Sequence, residues 1–324
     1  MELIRGLHNL RARHRGNVAT IGNFDGVHLG HQAVFRHLLG KAAELGLPST
    51  VITFEPQPQE LFSPQSAPAR LTRFREKLQA IKDAGVKRVM LLEFNARLAG
   101  MSAGDFVSRL LVEGLGVRYL FVGDDFRFGR GREGDISLLR AEGEAHGFEV
   151  DNMSTFSVEE RRVSSTRVRE ALRDGDLFRA ERLLGRPYRI CGRVAHGDER
   201  GRSIGFPTAN LDLHRRFSPL RGVYAVRVLG LAEELWPGVA NIGTRPTVTG
   251  DSRYLLEVHL FDFQREIYGR HVQVEFVRKL RDERRFASFD ELRAQIERDA
   301  QAARACLGEP EAGPEDAVSS PELG

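Results

Sequence analysis

The chain has 324 residues, 41% hydrophobic and 29% charged, with a formal net charge of +3. At roughly 100–200 residues per domain, this length favours two domains, each able to bury a core without disulfide or metal staples. The ordinary apolar content excludes general disorder, no apolar run approaches a membrane span, and the start MELIRGLHNL gives no expectation of a secretory leader.

Along the chain, residues 18–21 read as a short strand closed by Gly22, and residues 30–45 as a helix stopping at Gly46. Strands follow at 49–54, 88–94 and 119–122, with helices at 73–84, 103–114 and 136–146. This βαβα order predicts an α/β domain whose parallel sheet binds ligands at the carboxyl ends of its strands. After a helix-like stretch at 167–184 and Gly185-Arg186-Pro187, the texture changes. Strands at 188–194, 222–229, 238–242, 254–261 and 272–277 have no crossover helix between them, which predicts an antiparallel barrel or sandwich. A helix at about 288–306 closes it, with Ser288 and Glu291 spaced as a capping box and Phe289, Leu292, Ile296, Ala300 and Ala303 as its buried stripe. The domains expected are 1–184 and 186–307. Residues 308–324 hold five acids and no base, so the body carries +8 and the tail is predicted to be disordered.

Cys191 and Cys306 are too far apart and too few for a disulfide framework or a metal knuckle, so a reducing cytoplasm is expected. The basic body suits anionic ligands. Its arginines are scattered rather than interleaved with aromatics, which argues against nucleic acid. The sequence leaves the oligomeric state open.

Two pattern matches carry no chemistry. Gly129 to Gly134 fits GxGxxG, but six residues separate it from the preceding strand, where a dinucleotide fingerprint must begin directly. Gly201 to Gly205 fits GxSxG, but Pro207 and the β texture rule out the helix that a nucleophile elbow needs. Gly22-Asn23-Phe24-Asp25-Gly26-Val27-His28-Leu29-Gly30-His31 is different, because it joins the first strand to the first helix. Backbone N–H groups and the helix dipole favour phosphate there, and two imidazoles can stabilise charge on a phosphorus-centred transition state. A plain capping loop is the alternative; a metal pair lacks a third ligand at suitable spacing. Ser164-Ser165-Thr166-Arg167-Val168-Arg169 can cap the helix it opens or donate to phosphate oxygens.

Together, HxGH and SSTxxR resemble the nucleotidyltransferase superfamily. Thr53-Phe54-Glu55-Pro56, Gly123-Asp124-Asp125-Phe126-Arg127-Phe128-Gly129, Leu184-Gly185-Arg186-Pro187-Tyr188, Gly205-Phe206-Pro207-Thr208-Ala209-Asn210 and Asn241-Ile242-Gly243-Thr244-Arg245-Pro246 extend it. They resemble the bacterial bifunctional riboflavin kinase/FMN adenylyltransferase family over about residues 15–303. The resemblance implies a Rossmann-like adenylyltransferase domain followed by a β-barrel kinase domain with a C-terminal helix. It implies ATP, riboflavin and FMN as substrates, and Mg²⁺ as cofactor. His28 and His31 would act on the α-phosphate, with Gly22, Asn23, Asp25, Ser165, Thr166 and Arg169 around the nucleotide. Phe62, Phe106 and Phe128 would stack on the flavin, near Asp125, unless they are core. In the kinase half, Gly205 would lie at the phosphates and Thr208 and Asn210 at the metal. Glu257 would be the general base, with an ion pair as its alternative, and Arg281 would lie beside the flavin. One departure is Gln57, where the family usually has His.

Overall fold

The computed structural model describes residues 1–153, 157–158, 161–195, 206–213, 217–246 and 252–308. Gly205 and the tail beyond Gly308, for which the sequence predicts a phosphate contact and disorder, lie outside them. The chain divides into two compact units, Met1–Ser165 and Thr166–Gly324.

In the first unit, β1 (Glu2–Arg5), β2 (Asn17–Ile21), β3 (Ser49–Glu55), β4 (Arg88–Glu93), β5 (Val117–Gly123) and β6 (Glu149–Met153) form one parallel sheet in the order β1-β4-β3-β2-β5-β6. Alternate residues of each strand serve opposite faces. Val18, Val51, Val89 and Phe121 pack with Phe35 and Leu38 of α1 (Leu29–Glu44). After the short α2 (Pro58–Phe62), α3 (Phe74–Asp83) adds Ile81 to that cluster. On the other face, Ala19, Ile52, Met90 and Leu120 pack with Phe106 and Leu110. Those two belong to α5 (Ala103–Phe106), which follows α4 (Ala96–Ala99), and to the π-helical stretch Val107–Gly114. Leu139 of α6 (Ile136–His146) completes this cluster. Burial on both faces explains why the central strands read as continuous apolar runs. The edge strands β1 and β6 were not expected, since charged residues interrupt their apolar positions.

The chain steps from β2 through β3 to β4 on one side and then returns to β5 on the other. That reversal beside β2 is the topological switch point where open sheets hold ligands. A two-rung hairpin, β7 (Ser157–Val158) with β8 (Arg161–Arg162), comes last before Ser165.

The expected helix 167–184 is two helices, α7 (Ser165–Asp174) and α8 (Leu177–Leu184). Gly175 takes φ +77°, and the Asp176 carboxylate accepts from the Arg179 N–H at 2.9 Å to start α8. The second unit is then a closed antiparallel barrel of β9 (Arg189–Ala195), β10 (Ala209–Asp212), β11 (Gly222–Leu229), β12 (Trp236–Pro246), β13 (Ser252–Leu260) and β14 (His271–Arg281). Its order is β10-β13-β12-β11-β14-β9. The four-residue β10 carries the end of the Pro207-Thr208-Ala209-Asn210 segment, and no strand was expected there.

Helix α9 (Phe289–Leu307) has Ser288 as its N-cap, its side chain accepting from the Glu291 N–H at 3.2 Å. Its buried stripe differs from expectation. Ala300, Ala303 and Leu307 pack on Val223, Ala225, Val239 and Phe261. Phe289, at the other end, is 68% exposed. Arg304 is buried instead, bridging Asp262 at 2.9 Å over the Phe261 ring.

Gly222 opens β11 at φ +107°, and a Cβ there would run into the Arg281 carbonyl of β14. Gly222→Ala is therefore expected to destabilise the barrel by more than about 1 kcal/mol, read as a lower melting temperature of the full chain.

Candidate active sites

Seven residues, Gly22 to His28, connect β2 to α1 at the switch point. Gly26 is at φ 84°, but Phe24 at 49° and Val27 at 42° also take left-handed conformations. Such residues cost about 1–3 kcal/mol each and persist only where surrounding contacts hold them. Here the Phe24 and Val27 side chains are buried beside Phe35. The Asp25 carboxylate accepts from the Leu71 N–H at 3.0 Å, the Thr72 N–H at 3.0 Å and the Thr72 hydroxyl at 3.1 Å. The Gly26 N–H donates to Thr72 Oγ1 at 3.0 Å, and Ser165 Oγ donates to the Asp25 carbonyl at 3.0 Å.

The loop delivers two stacked imidazoles. The His28 and His31 ring centroids are 3.6 Å apart, at an interplanar angle of 19°. His28 caps α1, its Nδ1 accepting from the His31 N–H at 3.3 Å. A Cβ at Gly30 would lie 3.2 Å from the His28 ring and 3.3 Å from the Val163 carbonyl, so the glycine of HxGH keeps this packing open. Burial, then His28 and then Lys77 hold the His31 pKa well below its ordinary value. Its Nδ1 is buried with no hydrogen-bond partner among the described residues. His31 is thus held toward neutral imidazole, and the pair stands at a helix N-terminus, where developing phosphate charge is favoured.

The other expected residues are placed unequally. Asn23 is exposed and Gly22 half-buried. Asp25, expected at the nucleotide, is 2% exposed and its oxygens are taken up by the 71–72 segment. The carboxylate thereby braces the loop. Thr166 and Arg169 follow Ser165 on α7 and group with the second unit. Asp125 is exposed in the turn beyond β5. Phe106 and Phe128 are only 4% and 6% exposed, pack on each other at 5.4 Å and belong to the core cluster. Phe62 is exposed at the end of α2, edge-on to Phe94 at 5.6 Å. Gln57 is buried, with its Nε2 unpartnered among the described residues.

In the barrel, β13 sets Glu257 opposite Asn210 of β10 on one side and Asn241 of β12 on the other. Glu257, Thr208 and Arg281 line one cavity of about 460 Å³, together with apolar faces of Phe286, Phe289 and Ile296. Thr208 also lines a second cavity of about 540 Å³, with Asn210, Arg265 and Tyr268. Both volumes suit small-molecule sites. The Asn210 amide nitrogen donates to the Thr208 carbonyl at 3.4 Å. Arg281 is held by a two-pronged bridge to Asp299 of α9 at 2.7 to 3.0 Å, and Asp299 also accepts from Gln295.

Sequence reasoning passed over His259 and Lys77, and of the Arg281-Asp282-Glu283 run, which resembles the family's flavin-side loop, it carried only Arg281 forward. His259, two positions beyond Glu257 on the same strand face, has its Nδ1 2.9 Å from the Pro207 carbonyl, and burial lowers its pKa. Glu283 lines the Glu257 cavity, with its carboxyl pKa raised by burial against the pull of Arg221 and Arg281. Lys77 is 1% exposed beneath the histidine loop. Period-two spacing could have found His259, and a charge on an apolar helix stripe could have found Lys77.

The His31 shift sets a pH dependence. Between its depressed folded pKa and the ordinary 6.5, the unfolded chain binds a proton that the folded chain does not, so stability rises with pH. Calorimetry is expected to show the first unit melting lower as pH falls from about 7 to about 5, and a shallower fall in His31→Asn. An equal slope in the variant would assign the dependence to other groups.

Comparison with known proteins agrees with this division. A family model described as FAD synthetase matches residues 10–167, and one described as riboflavin kinase matches residues 184–307. The bifunctional riboflavin kinase/FMN adenylyltransferase of Escherichia coli (strain K12) is 56% identical over 309 residues, covering 95% of this chain and 98% of that protein. The Pseudomonas fluorescens protein of the same name is 55% identical, over 94% of this chain and 97% of its own. A crystal structure described as a macrolide-efflux protein from Streptococcus pneumoniae superposes with a TM-score of 0.77 at 30% identity, over 94% of this chain and 99% of that one. With matching models in both halves and relatives this similar over nearly their full length, the chain belongs to the bifunctional riboflavin kinase/FMN adenylyltransferase family.

Proposed function

We propose that the two activities of this enzyme are divided between its halves, with adenylyl transfer at the histidine loop and phosphorylation in the barrel. The chain phosphorylates riboflavin to FMN and adenylylates FMN to FAD. The observation that carries the kinase assignment is Thr208, on the wall of two cavities, with Glu257 on one and Asn210 on the other. Phosphoryl transfer needs this layout, because donor and acceptor must meet at one point while being held separately.

In the barrel, riboflavin occupies the cavity of Glu257, Arg281 and the apolar face of α9. The Glu257 carboxylate takes the proton of the ribityl 5′-hydroxyl as that oxygen attacks the γ-phosphorus of ATP, and ADP leaves. His259 holds the Pro207 carbonyl and so orients Thr208. The Thr208 hydroxyl and the Asn210 amide oxygen are hard donors suited to Mg²⁺, which takes one or two protein oxygens and completes its shell with phosphates and water. Bound there, the metal would neutralise charge on the transferring phosphoryl group.

At the loop, an FMN phosphate oxygen attacks the α-phosphorus of ATP and pyrophosphate leaves. His28 and His31 donate hydrogen bonds to the oxygens that gain charge. Asn23, the Gly22 backbone and Ser165 bind the nucleotide, while Phe62 and Asp125 lie toward the flavin. We place these reactions in the cytoplasm, a reducing compartment that suits a chain with only two cysteines.

His31→Ala is expected to lower FAD formation from FMN at least about 100-fold while leaving FMN formation unchanged. Glu257→Gln is expected to do the reverse, by a similar factor. Chromatography of products from riboflavin or FMN with Mg-ATP reads both. Loss of both activities from either change would overturn the partition.

A further inference from the structure

We propose that Lys77 is a positioning residue for adenylyl transfer, its buried ammonium latching the strained histidine loop to β3. This rests on the assignment of the loop as the adenylyl-transfer site. Lys77 is on α3, its side chain all but sealed from solvent. Its Nζ donates to the Asn23 carbonyl at 3.0 Å and to Thr53 Oγ1 of β3 at 3.3 Å. Asn23 directly precedes Phe24, the first of the two left-handed non-glycine residues. The latch therefore grips the loop where its unfavourable conformation begins, and the bonds to Asp25 grip the next residue but one. Between them, the two anchors leave the segment no cheap way to relax.

Nothing about core packing calls for a charge here. Burial pushes the Lys77 pKa down, offset by the carboxylates of Glu55 on β3 and Asp25 in the loop. Arg70, between α2 and α3, takes Glu55 in a bridge of 2.6 Å and also pairs with Glu60 of α2. The bonds that Lys77 itself makes thus go to two neutral oxygens, a carbonyl and a hydroxyl. An apolar side chain of the same length would fill the slot, and replacing a buried charge in this way is often neutral or stabilising. What methionine cannot supply is a donor for the Asn23 carbonyl, or the positive field that helps to keep His31 neutral. The charges facing His31 are His28 in the loop and Lys77 on α3.

The test uses the full chain, with FAD formation from FMN and Mg-ATP followed at several pH values. In Lys77→Met, kcat is expected to fall at least about 30-fold, with KM for FMN and ATP within about threefold, because the loss lies in orientation at the reacting phosphorus. The acid limb of kcat moves to higher pH, since removing the cation lets the His31 pKa rise toward its ordinary value. Lys77→Arg keeps charge and donors, so it retains kcat within about tenfold and leaves the acid limb in place. A filler role predicts the opposite ranking, because methionine fits the slot and arginine overfills it. A K77M enzyme with kcat at least equal to that of K77R, or an unmoved acid limb in folded K77M, overturns the proposal. If K77M does not fold, K77R decides alone, and a folded K77R enzyme that loses more than about tenfold in kcat overturns it. His31→Ala is measured alongside. If FAD formation survives that change, the site assignment is wrong; if it is lost while K77M is unaffected, only the latch is wrong.

Discussion

Three hydrogen bonds into the Asp25 carboxylate, from two backbone amides and one hydroxyl of residues 71 and 72, hold the turn that carries the proposed adenylyl-transfer site. Hydrogen bonds to a buried charge are roughly twice as strong as neutral ones, and removing the acceptor would leave these donors without a replacement. The bonds span forty-six and forty-seven residues of sequence and tie the segment leading into α3 to the loop leading into α1. With Phe24 and Val27 buried on either side, the backbone is committed to left-handed conformations that neither residue would choose alone. The outcome of that strain is the capped start of α1, with its two imidazoles face to face.

The barrel reaches its geometry by a different physical route, through strand register. Glu257 has Asn210 and Asn241 as its cross-strand partners because β10 and β12 both pair with β13 at that rung. A slip of one residue would turn each of these side chains to the other face. Apolar alternation along β13 prevents it, since Leu256, Val258 and Leu260 are all buried inside the closed barrel. The same strand reaches the Pro207-Thr208 turn through His259, so one element sets both the carboxylate and the segment opposite it.

Much of this was legible in the sequence, because it rests on period and punctuation. The central parallel strands stood out as unbroken apolar runs, and the barrel strands through their turn residues. The histidine loop stood out by its position between strand and helix. What was not legible is orientation, since a residue type does not reveal which way its side chain points. Asp25 looked like part of a nucleotide site, yet its partners are amides from elsewhere in the chain. Phe106 and Phe128 looked like flavin contacts, but they meet each other inside the core. Short elements were missed for another reason. β10 is four residues long, and only pairing with β9 and β13 makes it a strand.

Helix α9 is unevenly supported along its length. Its C-terminal half is seated on the barrel by Ala303, Arg304 and Leu307, whereas its first turns present Phe289 and Ile296 to a cavity. A flat apolar ring entering that cavity would remove the exposed surface from water and join the helix more firmly to the barrel. The stability of those first turns is therefore linked to ligand concentration. With riboflavin in that cavity as proposed, substrate supply would bear on how long this end of the chain withstands proteases, as well as on how fast it turns over.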